Sequence, residues 1–183
     1  MPEEMVIRHC SPTLAGLKTG SLFSCRYETE EEVRQDVRAM NRLLVPKGLR
    51  VLCLRYRAGL ALIYLYRPDC LYRDLNDPTA AHLLADRGYP CANADRCVVA
   101  LVEKLHECKE FPHEIGLFLG YPPVDVEGFI NHGAKDFKCV GDWKVYGDEE
   151  QARRTFARYR ACTECYHAQW CSGKSVEQLT VAM

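Results

Sequence analysis

LRVLCLRYRAGLALIYLY, residues 49–66, is the stretch on which the fold turns. Its two halves, 49–57 and 60–66, are rich in strand formers, and Ala58-Gly59 between them is a two-residue turn, so the spacing predicts a β-hairpin. Alternation in the first half puts Leu52, Leu54 and Tyr56 on one face, with Val51, Cys53, Arg55 and Arg57 on the other. The second half is apolar on both faces, which predicts a central place in a sheet. Outward from the hairpin, MVIRHC near residues 5–10 reads as a short strand running into a loop punctuated by Pro12, Gly16 and Gly20. FKCVGDWKVY, residues 137–146, reads as another strand, weakened by Gly141.

Helices fill the intervals. Thr29-x-x-Glu32 is a capping box, followed by Val33, Val37, Met40 and Leu44 at helical spacing and stopped by Pro46 and Gly48. Residues 68–75 form a short helix, and Asp77-Pro78 starts another that ends at Gly88. Asn93 or Asp95 caps a helix whose apolar face holds Val98, Val99, Leu101, Val102 and Leu105. Pro112 and Gly120 bracket a short one, Pro122 to Asn131 gives the next, and Asp148 opens a longer one to about Tyr166, before a last turn at Ser175. The expected class is α+β: one domain over residues 1–183, with a small mixed or antiparallel sheet (hairpin 49–66 plus strands near 5–10 and 137–146) packed with about six helices.

Composition bounds the function. The chain has 183 residues, 48% hydrophobic and 27% charged, as in an ordinary globular domain. The formal net charge of −1 removes the electropositive body on which general nucleic-acid affinity depends. The longest apolar stretch, Ala58 to Tyr66, has nine residues, against the ~20 of a membrane helix, so no membrane span is expected. MPEEMVIRHCSP has no basic start followed by an apolar run, which argues against a secretion signal and for a cytoplasmic protein. The 11 cysteines are an odd number and fit a reducing compartment, where most serve as small buried hydrophobes.

Three segments carry possible chemistry. In His9-Cys10-Ser11-Pro12-Thr13, Cys10 is the candidate nucleophile, which requires a base or a positive neighbour to lower its pKa; Lys18, Arg26 and His113 are the candidates. Ser11, Thr13 and Lys18 suit an anion, and with Arg26, His113, Glu114 and Tyr121 they make up the candidate ligand-binding set. In the C-terminal run, Cys162, Cys165, His167 and Cys171 have spacing suited to zinc or an iron–sulfur centre, with Cys139 as another fourth ligand. A continuous helix would hold Cys165 and Cys171 roughly 9 Å apart along its axis, so a metal site there needs the helix to end. Residues 113–130 have a helix–turn–helix look. From His113 to Ala134, however, they carry no Lys or Arg and three acidic residues, so no DNA partner is expected and a protein-docking role is the functional alternative.

CSPTLAGLKTGSLF (10–23), FPHEIGLFLGYPPVDVEGFI (111–130), WKVYGD (143–148) and the closing YRACT and GKSVEQLTVAM together resemble a family of small proteins of anaerobic Gram-positive bacteria, known as a domain of unknown function. The resemblance implies a complete cytoplasmic domain, includes Cys10 and Cys162 in its pattern, and leans toward iron and redox metabolism. The expectation is a small-molecule-binding or thiol-dependent protein of anaerobic iron or redox metabolism, for which zinc, an iron–sulfur centre or haem are the cofactors to test. Its alternatives are a non-enzymatic adaptor using the acidic helix pair 113–131, or a metal-binding module at the C-terminal cysteines. The partner is a small molecule or a protein, and the oligomeric state is open.

Overall fold

The computed structural model describes residues 2–91, 93–107 and 111–183. Its elements run α1 (Glu3–Leu14), β1 (Gly20–Arg26), α2 (Glu30–Leu44), a 3-10 turn (Val45–Lys47), β2 (Arg50–Arg57), β3 (Leu60–Tyr66), α3 (Pro68–Leu75), α4 (Pro78–Ala85), α5 (Ala94–Glu107), α6 (Ile115–Phe118), α7 (Pro123–His132), β4 (Cys139–Val140), β5 (Lys144–Val145), α8 (Glu149–Cys171) and α9 (Val176–Leu179). The class is α+β, with nine α-helices among the described residues where the sequence suggested about six. No described helix is long and apolar enough to cross a membrane. The chain divides into two compact units: residues up to Asp69 with Tyr159–Met183, and Cys70–Arg158.

In the first unit the hairpin forms as its turn chemistry requires. Ala58 and Gly59 both take positive φ, 50° and 75°, the pairing that lets a two-residue turn follow the twist of its strands. The sheet order is β1-β3-β2, all antiparallel, so the strand apolar on both faces lies in the centre. The ladder shifts register between Cys53 and Arg55, leaving Leu54 as an extra residue. This bulge inverts the alternation expected from the sequence: Val51, Cys53 and Tyr56 pair with Leu65, Ile63 and Ala61 and share their face.

Two assignments near the N-terminus are corrected. The strand near 5–10 is part of helix α1, because Val6, Ile7, Cys10 and Leu14 recur every three to four residues and form one stripe with no exposed surface. Pro12 falls in the last turn of α1 and does not break it. The loop expected after it contains β1, whose Ser21, Phe23 and Cys25 point inward opposite Leu65, Ile63 and Ala61. The core lies between that face of the sheet, α1, Val33, Met40 and Leu44 of α2, and Val176 and Leu179 of α9.

Polar groups close the edges of this core. The Thr29–Glu32 capping box is formed. Asn41 of α2 donates from Nδ2 to the Val51 carbonyl at 2.7 Å and accepts from the Val51 N–H at 2.9 Å. One side-chain amide thus occupies the open edge of β2 in the way a neighbouring strand would. Arg67, 2% exposed, donates to the carbonyls of Thr13 (2.8 Å) and Leu14 (2.7 Å) at the end of α1 and of Val181 (2.8 Å) beyond α9. Lys47 Nζ donates to the Glu177 and Thr180 carbonyls at 2.6 and 3.1 Å. Cations therefore sit at the helix ends, adding donors to backbone carbonyls that have few intrahelical ones.

In the second unit, Asp77 caps α4 through Thr79 N and Ala80 N with Pro78 at the first helical position, as its sequence predicts. Asn93 accepts from Arg96 N at the start of α5. The strand near 137–146 is corrected. It is two strands of two residues, β4 and β5, which pair only with each other and not with the three-stranded sheet. Gly141 lets the bend between them pack against Phe156, since a Cβ there would lie 2.3 Å from that ring. Helix α8 runs unbroken through Cys171, past the end expected near Tyr166, and Gly173 at φ 98° follows it.

Candidate functional site

The second unit contains a cavity of about 370 Å³ between the α6–α7 segment and the β4–β5 hairpin. A buried carboxylate ties the two together. Asp125, in the first turn of α7, accepts at Oδ2 from the Trp143 indole N–H, and at Oδ1 from the backbone N–H groups of Tyr146 and Gly147, each at 2.7 Å. Glycines permit two close approaches: a Cβ at Gly116 of α6 would meet Val126 of α7 at 2.8 Å, and one at Gly128 of α7 would meet the Tyr146 ring beside the hairpin at 2.4 Å. Across the gap, the Tyr121 hydroxyl donates to the Asp142 carbonyl at 3.1 Å.

Rings wall the cavity. Tyr121 stacks on Trp143 with centroids 4.8 Å apart and planes 30° from parallel, and Trp143 meets Phe156 edge-on at 4.5 Å. On the other side His113 meets Phe129 edge-on at 4.9 Å. Phe111 and Val140 continue the apolar lining. Lys144 is the cation of the cavity. Its Nζ lies 5.1 Å from the Phe129 centroid and 5.9 Å from that of Phe137, and no carboxylate among the described residues forms an ion pair with it. A volume near the lower end of the ~300–1,000 Å³ range of ligand sites, aromatic walls and a few polar groups are what a small planar molecule requires.

Of the residues singled out in the sequence, His113 and Tyr121 line this cavity. Glu114, between them in the chain, does not: it is buried, accepts from the Tyr89 hydroxyl at 2.9 Å and lies 3.8 Å from Arg87 Nε. Asp125 is likewise turned inward, so of the three acidic residues of the 113–131 helix pair only Glu127 is left at the surface.

Cys10, Ser11, Thr13, Lys18 and Arg26 belong to the first unit. Cys10 is fully buried, and desolvation raises its thiol pKa to about 12, outweighing the pull of Lys18 and a bond from Ser21. A nucleophilic cysteine needs the opposite shift. The Ser11 hydroxyl donates to the Ile7 carbonyl at 2.5 Å, Thr13 and Ser21 share a hydrogen bond of 2.9 Å, and Lys18 Nζ lies 5.8 Å from the Tyr159 ring. These polar groups satisfy the interior of α1. Arg26 is exposed, beside a more polar groove of about 580 Å³ that also takes in Glu28, Glu32 and Asp36.

At the C-terminal cysteines, the unbroken α8 distributes the side chains around and along its axis. Cys171 Sγ lies 3.8 Å from His167 Nδ1, one helical turn away, while the Cys165 sulfur accepts from Gln169 Nε2 at 3.3 Å. Cys162 is half-buried, its pKa raised by burial and by neighbouring Cys165. Among the described residues, no three His, Cys, Asp or Glu side chains converge to hold one metal ion.

The sequence reading missed Asp125, Phe129, Trp143 and Lys144 as site residues. The available signal was WKVYGD, which pairs an indole with an adjacent cation beside a glycine-containing bend. Residues 6–180 match the model of a family described as protein of unknown function (DUF3793), and that match meets the resemblance of the four sequence stretches to a domain of unknown function. Neither a curated protein nor a solved structure matches the chain.

Proposed function

We propose, for a chain that belongs to the DUF3793 family, that the second unit is a small-molecule-binding module whose ligand occupies the aromatic cavity. One observation carries this reading: three side-chain rings, Tyr121, Trp143 and Phe129, face a cavity of about 370 Å³ and are held there by contacts that need no ligand. Trp143 is fixed by its indole bond to Asp125 and by its ring contacts with Tyr121 and Phe156. A site built in advance spends little affinity on ordering its side chains when it binds. A stacked ring contributes roughly 0.5–1.5 kcal/mol beyond the area it buries, so a mono- or bicyclic ligand has enough wall to bind usefully. The cavity is small for a dinucleotide, whose binding takes an extended crevice and a glycine-rich phosphate turn.

The test is a titration of the isotope-labelled protein with mono- and bicyclic aromatic fragments, including neutral, anionic and cationic members, followed by amide and indole N–H shifts. The expected result is that a subset of fragments shifts Gly116, Tyr121, Gly141 and the Trp143 indole together, and that Tyr121→Ala weakens the same subset. The reading fails if no fragment moves these signals at millimolar concentration, or if shifts scatter over the surface without saturating.

A further inference from the structure

Resting on that reading, we infer the class of ligand: a planar aromatic acid, its ring against Trp143 and Tyr121 and its anionic group on the ammonium of Lys144. Among the described residues a positive charge at the cavity is left without an ion-pair partner. Lys144 is half-buried at the start of β5, its Nζ above the faces of Phe129 and Phe137, and no carboxylate of the described residues pairs with it. An ammonium over a ring gains about 0.5–1 kcal/mol at such a site, less than a charge-assisted hydrogen bond to an oxyanion. The cation is therefore held at the cavity by contacts that an anionic ligand improves on.

The acidic residues around the cavity do not reverse that sign. Both Asp125 oxygens are engaged by three N–H donors, so its charge is already stabilised within the scaffold. Asp142 lies at the exposed tip of the hairpin, where water screens it, and it meets Tyr121 through its backbone carbonyl. A cationic ligand would bring its charge toward Lys144, and among the described residues lining the cavity the one carboxylate outside the scaffold bonds is that of Asp142, exposed to water at the hairpin tip. A neutral ligand would stack equally well but leave the ammonium as it is. Size supplies the other limit: about 370 Å³ suits one or two fused rings with a single acidic substituent.

Three probes of one shape separate the outcomes: naphthalene-carboxylate, its neutral carboxamide, and the corresponding methylammonium compound. Each is titrated by calorimetry into the full chain and into Lys144→Met and Lys144→Arg, at constant pH. The wild-type protein is expected to bind the carboxylate about tenfold more tightly than the carboxamide, a ratio that a single charge-assisted hydrogen bond supports, and to bind the cation weakest. Lys144→Met should bring carboxylate and carboxamide to equal affinity, and Lys144→Arg should keep the preference. Equal binding of acid and amide by the wild-type protein, or a preference that survives Lys144→Met, overturns the charge assignment and leaves the cavity standing. Binding of none of the three probes overturns the cavity reading itself. The comparison of acid and amide on the wild-type protein is decisive even if a variant fails to fold.

Discussion

Replacing Asp125 with Asn changes a single atom and tests whether this carboxylate is what builds the cavity. Its Oδ1 serves two backbone N–H groups and its Oδ2 serves the Trp143 indole, all at 2.7 Å. An asparagine can turn its carbonyl oxygen to Tyr146 and Gly147, but its NH₂ then faces the indole N–H, donor against donor. Hydrogen bonds to a charged group contribute about 1.5–3 kcal/mol and neutral ones about 0.5–1.5, so two weakened bonds cost roughly 2 kcal/mol. The orphaned, buried indole adds about 1–3 kcal/mol, for a total near 3–5 kcal/mol. Trp143→Phe removes the orphan while keeping a ring in the wall. In the double variant Asp125→Asn/Trp143→Phe the donor clash is absent, so the two losses should overlap by about 1.5–3 kcal/mol. Urea unfolding followed by far-UV circular dichroism measures all four proteins, provided the slope with denaturant is unchanged. Additive losses, agreeing within about 0.5 kcal/mol, would refute the reasoning, because they would mean that Asp125 and the indole stabilise the unit independently.

Thiol chemistry gives a second expectation. Iodoacetamide followed by peptide mass spectrometry should label exposed Cys165 and Cys171 first and leave Cys10 unmodified until the protein unfolds; early labelling of Cys10 would contradict its burial. The same residue sets an alkaline limit. The Cys10 pKa is raised from about 9 in the unfolded chain to about 12 when folded, so its contribution is whole below pH 9 and falls away as pH rises toward 12. The slope is up to about 1.4 kcal/mol per pH unit, and Cys10→Ala should flatten the dependence of the urea midpoint on pH across that window. Arg67→Met removes one charged donor from each of the carbonyls of Thr13, Leu14 and Val181 and should cost about 3–5 kcal/mol, with amide exchange at Val181, which bonds to Leu14, accelerating most. Asn41→Leu uncovers the edge of β2 at Val51; light scattering should show more concentration-dependent association than for the native chain.

Much of the fold was legible where a short motif has one physical solution. Ala58-Gly59 is such a case, since its two positive φ angles leave the flanking strands little choice but to pair. The capping box at Thr29 and the Asp77-Pro78 start are others. The readings that failed rested on a single alternation or a single breaker. MVIRHC looked like a strand because the apolar stripe of α1 is completed only at Leu14, beyond Pro12 and inside the stretch read as a loop. At Leu54 one additional residue reverses which face Tyr56 takes, and no local pattern marks where a bulge falls. Strands of two residues, such as Cys139–Val140 and Lys144–Val145, are shorter than any period that could announce them.

The site was harder to read than the fold for a reason of the same kind. His113 and Tyr121 were picked out as companions of Cys10, and they owe their place to different neighbours, Phe129 and Trp143. Trp143 is buried at its N–H, which the Asp125 carboxylate receives, and the same residue lines the cavity beside Tyr121. The division within one side chain exists only because α7 and the hairpin meet, and their close approach uses Gly128, against the Tyr146 ring, and Gly147, against Val124, where a Cβ would lie 2.4 and 2.7 Å from its neighbour. The thiol-rich end of α8 shows the converse. Cys162, Cys165, His167 and Cys171 are close in sequence, which suggested a metal centre, yet a helix unbroken through Cys171 sends them along and around its axis. Proximity in the chain was the stronger signal and the weaker guide, since a ligand responds to which groups face one volume. Here those groups come from residues 111–129 and 140–144, held together by a carboxylate whose partners lie 18 to 22 positions away.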